Sequence, residues 1–306
     1  MKKGIAVLLL CCLMMGASAL GEQTPFVAQI SVEDELSEYS LFYDHIGTLD
    51  AIDDLMEEPA NCALLLYLNT PGGAMYEIDE LYMKLMEYRE TTGRPVYAYI
   101  AQQAMSGGLY VAMAADRIAA SRMSELGSIG VMYSLTSEAG LYEKLGIEEY
   151  IVASGKNKAF GWPELTPEQR AFLQANVDEA FDVFVDIICA SRGLSREQVL
   201  AFSDGRIFSA RMAKEFGLID AVMGYSDAVD DLYARYGLND EPLVHYPPDP
   251  QAEPAEAALA EEEPTPDAPK EVDNLLDWLT DRFAQVPAHG RLAALATAPR
   301  RCAVAM

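Results

Sequence analysis

The chain has 306 residues, 51% of them hydrophobic, with 48 acidic against 22 basic side chains and a formal net charge of −26. Such a surplus repels phosphate backbones and anionic lipid surfaces, so no nucleic-acid partner is expected and charge alone does not bring the chain to a membrane. The apolar content is too high for an acidic disordered protein, and the length allows one large domain or two ordinary ones with extensions.

Met1-Lys2-Lys3 is basic, Gly4 to Met15 is apolar, and Ala17-Ser18-Ala19 is a small-x-small cleavage site. That pattern reads as a secretory signal peptide over residues 1–19, cut after Ala19. The uncharged stretch from Gly4 to Gly21 is at the short end of a membrane span, so retention as an N-terminal anchor is the other reading. Either way the expected location is outside the cytoplasm, secreted or membrane-associated. Cys11 and Cys12 do not follow a small residue and do not suggest a lipoprotein. The other cysteines, Cys62, Cys189 and Cys302, are too scattered for a disulfide framework or a metal cluster. Cys62 and Cys189 lie in apolar runs and are expected in the core.

Residues 20–246 read as a single α/β domain. Phe26 to Val32 predicts a strand and Thr48 to Glu58 a short helix. Cys62 to Asn69 is a continuous apolar run, as in a parallel strand buried on both faces. A turn follows at Thr70-Pro71-Gly72-Gly73. Met75 to Thr92 places Ile78, Leu81, Leu85 and Met86 on one helical face. Gly93-Arg94-Pro95 breaks it before a second buried strand, Val96 to Ala101, so strand, helix and strand form a right-handed crossover.

Gly107 to Ala114 predicts a buried helix. Arg117 to Ser121, Gly130 to Tyr133 and Glu149 to Ala153 predict short strands. Thr166 to Ser191 predicts a long helix, with Thr166 as N-cap, Pro167 at the first helical position, Gln169 closing a capping box and Gly193 past the end. Ser195 to Phe202 and Ser209 to Phe216 predict shorter helices. Residues 247–270 are rich in Pro, Ala and Glu and read as a solvated linker. In the tail, 271–306, residues 272–286 regain helical periodicity, which fits docking on the chain's own core better than docking on a partner or a membrane.

His45, His245 and His289 are far apart, and neither a Gly-x-Gly-x-x-Gly turn after a strand nor a phosphate loop is present, so no metal and no cofactor are expected. Two glycine-rich turns follow buried strands, where α/β folds place ligand sites. They are Asn69-Thr70-Pro71-Gly72-Gly73 and Met105-Ser106-Gly107-Gly108. Ser106 precedes a helix, and the amides of Gly107 and Gly73 can together form an oxyanion hole, worth about 3–4 kcal/mol per donor in acyl transfer. A serine nucleophile needs a base. The histidines are poorly placed, and the chain has eight lysines. Most lie in the leader, the linker or solvated helix positions. Lys156 and Lys158, in Ser154-Gly155-Lys156-Asn157-Lys158, follow an expected strand, and either suits the role if burial lowers its pKa.

The ordered set of motifs resembles the signal peptide peptidase A family of serine peptidases, over most of residues 26–235. Besides the two turns and the lysine segment, the set includes Ala114-Ala115-Asp116-Arg117-Ile118, Leu126-Gly127-Ser128-Ile129-Gly130-Val131, and Asp204-Gly205-Arg206-Ile207-Phe208 through Gly217-Leu218-Ile219-Asp220. The resemblance implies a Clp-protease or crotonase-like fold of repeated ββα units, with Ser106 as nucleophile and Lys158, rather than Lys156, as general base. It makes Ser128 the residue that orients the lysine, and Gly73 and Gly107 the oxyanion hole. Thr70 stands where the family usually has Ser, and Ala210 where it often has Gly. One copy of the domain resembles the half-length form, which implies a homo-oligomeric ring, an octamer, with serine and lysine from neighbouring subunits. The implied substrates are remnant signal peptides and other small or unfolded polypeptides near the membrane. A crotonase-type acyl-thioester enzyme is a second reading, opposed by the export signal. An inactive exported scaffold is a third, opposed by the presence of both Ser106 and Lys158.

Overall fold

The structure is a computed structural model that describes residues 24–239 and 241–246 and the backbone of 303–305. The leader at 1–19, the linker at 247–270 and the helix expected at 272–286 lie outside the described residues.

Strand β1 (Phe26–Glu33) leads to helix α1 (His45–Glu57), strand β2 (Asn61–Thr70), helix α2 (Met75–Thr92), strand β3 (Val96–Met105), helix α3 (Gly107–Ala112) and strand β4 (Arg117–Ala120). Each sequence signal has a visible cause. Asp44 caps α1, accepting a hydrogen bond from the Gly47 amide at 3.0 Å, so the helix starts at His45 rather than at the expected Thr48. Gly93 ends α2 at φ 68°, a left-handed cap that costs glycine little.

Two short strands follow, β5 (Glu125–Gly127) and β6 (Met132–Ser134), then helix α4 (Ala139–Leu145). The strand expected over Glu149–Ala153 does not form. That stretch is exposed irregular chain, with Val152 at 102% relative exposure. Its β-branched and aromatic residues favour a strand but pair with no strand among the described residues. The strand expected from Gly130 is confined to β6.

Helix α5 (Pro167–Arg192) has the anticipated capping box. The Gln169 amide donates to Thr166 Oγ1 at 3.2 Å, and the Thr166 amide donates to Gln169 Oε1 at 3.2 Å. The chain continues through α6 (Arg196–Leu200), β7 (Ile207–Ser209), α7 (Ala210–Glu215), β8 (Ala221–Val222), α8 (Tyr225–Tyr236) and β9 (Leu243–His245). A last short strand, β10 (Ala303–Ala305), pairs with β6 in a separate two-stranded sheet.

The main sheet has eight strands in the path β7-β5-β3-β2-β1-β9, with β4 beside β3 and β8 beside β4. All pairs are parallel except β5 with β7. β3 forks the sheet. Its Tyr97–Ile100 half pairs with β4 and its Gln103–Met105 end pairs with β5. Alternating residues divide the sheet into two buried faces, as the two-residue period of a strand requires. Leu64, Leu66 and Leu68 join Ile30, Ile100 and the α1, α2, α3 and α5 side chains in the larger core. Leu65, Val27, Tyr97 and Tyr99 pack on the other face against Ala228 and Leu232 of α8. Cys62 and Cys189 are half-buried rather than central. Among the described residues no helix is long and apolar enough to cross a membrane.

Candidate active site

β3 ends at Met105, and the next residue, Ser106, turns the chain sharply into α3. Its backbone has φ 51° and ψ −115°, in the left-handed half of conformational space that a non-glycine residue adopts only under constraint. The constraint is visible. The Ser106 amide donates to the Gly127 carbonyl of β5 at 2.7 Å, and its carbonyl accepts from Leu109 and Tyr110 at 3.0 and 3.1 Å. Gly107 follows in the first turn of α3, where amides have no partner within the helix. A Cβ on Gly107 would lie 2.0 Å from Ile78 Cδ1, which is why the turn packs so closely.

The facing loop is Thr70-Pro71-Gly72-Gly73 at the end of β2. Thr70 Oγ1 accepts from the Gly72 amide at 3.1 Å, and Gly72 adopts φ 102°. Leu36 grips the loop from outside. Its amide donates to Gly72 O and its carbonyl accepts from the Ala74 amide, both at 2.8 Å. Those two bonds use the neighbours of Gly73 and not the Gly73 amide itself. A Cβ on Gly73 would lie 2.1 Å from the Leu36 carbonyl oxygen, so only glycine fits.

Ser128, after β5, is the third residue of the site. It too has a positive φ, 50°, and its amide donates to the Arg206 carbonyl at 2.8 Å. Gly73, Ser106 and Ser128 line one pocket of about 470 Å³ with Glu35, Pro71, Gly72, Gly130, Val131, Met132 and Gly205. Ser106 is 6% exposed. The chain thus brings together four of the five sequence-predicted residues, Gly107 being the buried neighbour of Ser106 rather than a lining residue.

The lysines are elsewhere. Lys158 is exposed in the irregular segment before α5 and does not line the pocket. Among the described residues Lys156 forms an ion pair with Glu168, at 2.6 Å, whereas Lys158 forms none.

A larger cavity, about 690 Å³, lies beside Ser40, His45 and Glu80. It is a poor catalytic site although it holds a serine and a histidine. The Ser40 hydroxyl donates to Asp34 at 2.9 Å, and the two His45 ring nitrogens are taken by Tyr43 and Glu80, at 2.9 and 2.8 Å. No group of three or more potential metal ligands occurs among the described residues.

Residues 89–239 match the profile of Peptidase family S49. A candidate signal peptide peptidase, SppA, of Enterococcus faecium is 33% identical over 207 residues, covering 67% of this chain and 60% of that protein. The chain belongs to the S49 peptidase family. A candidate protease of Synechocystis is 36% identical over 176 residues, 56% of this chain and 62% of its own length. The chloroplastic serine protease SPPA of Arabidopsis thaliana is 32% identical over 184 residues, 59% of this chain and 27% of its own. The chain therefore spans under two thirds of the length of these relatives.

The S49 match contains Ser106, Ser128 and Lys158, and Gly73 lies before it. Two parts of the pocket escape a reading by chemistry alone. The Asp204-Gly205-Arg206 loop supports Ser128 and lines the pocket, and its only sequence signal is its place in the ordered motifs. Glu35 stands at the pocket within an acidic stretch that reads as ordinary surface.

Proposed function

We propose that this chain is a serine endopeptidase in which Ser106 is the nucleophile and Lys158 the general base, on a Clp-protease-like scaffold of ββα units. The observation that carries the reading is the strained turn at Ser106, held against Gly127 and facing the Gly73 loop. Strain of this kind at a serine between a strand and a helix persists where surrounding bonds over-determine it, and it clusters at reactive sites.

Neutral Lys158 accepts the Ser106 proton as Oγ attacks the peptide carbonyl. The Gly73 and Gly107 amides hold the oxyanion, and Ser128 orients the lysine. Protonated Lys158 gives its proton to the leaving amine, then accepts one from the water that hydrolyses the acyl-enzyme. Lys158 does not line the pocket within this chain, and Leu141, Leu145, Ile147, Tyr150, Ile151 and Val152, in the segment before it, are all exposed. Both facts favour self-association in which a neighbouring copy supplies the lysine, and the assembly we assign, from the resemblance to the half-length form, is a homo-oligomeric ring, an octamer. The substrates we assign are remnant signal peptides and other short unfolded polypeptides, cut outside the cytoplasm at or near the membrane.

Labelling with a fluorophosphonate and peptide mapping test the nucleophile. The label is expected on Ser106 and is lost in Ser106→Ala. Peptide cleavage is expected to fall to background in Ser106→Ala and Lys158→Ala and to persist in Lys156→Ala, whose ammonium is held by Glu168. Wild-type turnover in Ser106→Ala or Lys158→Ala would sink the dyad.

A further inference from the structure

We infer that Glu35 is a specificity-determining residue, whose carboxylate selects peptides that carry a lysine or arginine side chain close to the scissile bond. The inference rests on the peptidase reading above and adds a substrate class to it.

β1 ends at Glu33, and the chain then runs beside the Gly73 loop. The Asp34 amide donates to the Asn69 carbonyl at 3.2 Å and the Leu36 amide to the Gly72 carbonyl at 2.8 Å, while Leu36 and Gly73 form a parallel bridge. The backbone of Glu35 is thus pinned on both sides. Successive side chains of extended chain point to opposite faces. Leu36 is fully buried in the core, and Glu35 is exposed and lines the pocket with Gly73 and Ser106. Paired extended segments lie about 4.8 Å apart. The carboxylate is therefore carried on fixed backbone next to the loop whose amide we assign to the oxyanion.

That charge is alone in the pocket. The other lining residues are glycines, two serines, Pro71, Val131 and Met132, all neutral. Among the described residues no hydrogen bond or ion pair holds the Glu35 carboxylate. Arg206 follows the lining residue Gly205, but its guanidinium is held by Asp204, with Nε donating to Oδ1 at 2.7 Å. Across Pro71 a second hollow, of about 560 Å³, is lined by Glu33 and Asp34 and by no basic residue. A cationic side chain entering the site thus meets an uncommitted carboxylate in a negative field that the cleft walls focus. An acidic side chain meets the same field as repulsion, so discrimination has an attractive and a repulsive part. Val131 and Met132 leave the rest of the pocket to apolar side chains, and a peptide with a basic residue beside an apolar one matches both.

The experiment compares the full-length wild type with Glu35→Gln and Glu35→Lys. Fluorogenic peptides differ at one position, which holds Lys, Gln or Glu and is moved through three residues on either side of the cleaved bond. The quantity read is the ratio of kcat/KM for the Lys peptide to that for the Gln peptide, in which any general loss of activity cancels. At one position or two adjacent ones the wild-type ratio is expected to be about fivefold, the scale of a partly solvated ion pair, carried by KM and reduced at high salt. It is expected to fall to about one in Glu35→Gln, and in Glu35→Lys the Glu peptide is expected to become the preferred one. A wild-type ratio near one at every position, or a preference for Lys that survives in Glu35→Gln, overturns the inference. If Glu35 instead faced the general base, both variants would move the pH–rate profiles of all peptides alike and leave the ratio unchanged, and that result overturns it too. A second arm needs no catalysis. The same peptides, fluorescently labelled, are titrated onto Ser106→Ala chains with and without Glu35→Gln. If the wild type cleaves no peptide but Lys peptides bind more tightly only where Glu35 is present, the peptidase reading fails and the role of Glu35 stands. If nothing is cleaved and Lys and Gln peptides bind equally, both fail.

Discussion

A methyl group at position 73 would meet the backbone of Leu36 on three sides, with its carbonyl oxygen at 2.1 Å, carbonyl carbon at 2.6 Å and amide nitrogen at 2.7 Å. Backbone held in a strand-like bridge cannot give way as a side chain can. Gly73→Ala therefore displaces the loop and the amide it presents to the pocket. We expect kcat to fall by about a hundredfold or more, the usual cost of one oxyanion donor, with a much smaller change in KM and a folded protein by circular dichroism. At Gly107 the obstruction is the flexible end of Ile78, and Gly107→Ala is expected to cost less in kcat and more in thermal stability. Wild-type kcat in Gly73→Ala would remove its amide from the mechanism. The contrast also shows what a sequence conveys at this scale. That glycine is needed at Gly73 is readable from the turn it ends. That Leu36, thirty-seven positions earlier, is the reason for it is not.

Among the elements, α5 is tied to the sheet by one ion pair. Arg192, in its last turn, meets Asp220 at 2.8 Å, and Asp220 Oδ2 also accepts from the Ile118 amide of β4 at 2.8 Å. Burial pushes the Asp220 carboxyl up, but the Arg192 guanidinium and the Ile118 amide outweigh it and leave its pKa below the ordinary carboxylate value. A depressed folded-state pKa contributes stability that is fully present above the unfolded value and is lost as pH falls through the folded one. Asp220→Asn is therefore expected to be less stable than the wild type at pH 7, with the difference shrinking below about pH 4. Urea unfolding at pH 7 and pH 3 measures it, and an equal difference at both would refute the assignment.

The elements that position the site were legible because each is written twice. β2 and β3 are apolar without interruption, and the glycine-rich turns after them stand where such strands end. The capping box of α5 is likewise local chemistry. The exceptions have physical causes. Tyr150-Ile151-Val152 has every preference of a strand and no strand partner among the described residues. β9 is three residues long and is fixed only by pairing with β1, made near the other end of the domain. Ser106 stands out by its turn, but on the residues alone Lys156 and Lys158 are equal candidates, and only the resemblance separates them. In the structure Lys156 is the one bound to an acid.

At the scale of the whole molecule, the distance of Lys158 from the pocket becomes a question of assembly. If serine and lysine meet across copies, two inactive chains complement each other. Mixing Ser106→Ala with Lys158→Ala after dissociation and reassembly should recover activity at about one site in four, as random pairing around a ring dictates. Activity is to be followed against mixing ratio, with the assembly sized by analytical ultracentrifugation. No recovery in a mixture that reassembles would place both groups in one copy. The acidity, against which no nucleic-acid partner is expected, belongs mostly to residues 20–246, since residues 247–306 hold only eleven of the acids and five of the bases.

The fork in β3 has a further consequence. One strand carries β4 on one half and β5 at its end, and the Ser106 amide is clamped to Gly127 just where that second pairing stops. The turn cannot loosen while the sheet is intact, because freeing it means parting β5 from the central strand. Ser106 therefore has no local melting mode of its own. In hydrogen–deuterium exchange its amide should be among the slowest in the chain, opening with the same free energy as the unfolding of the entire domain. The segment around Lys158, outside every ladder, should exchange within seconds in the isolated chain and slow sharply on assembly. One half of the proposed dyad is thus frozen into the fold, and the other is left for a neighbour to immobilise.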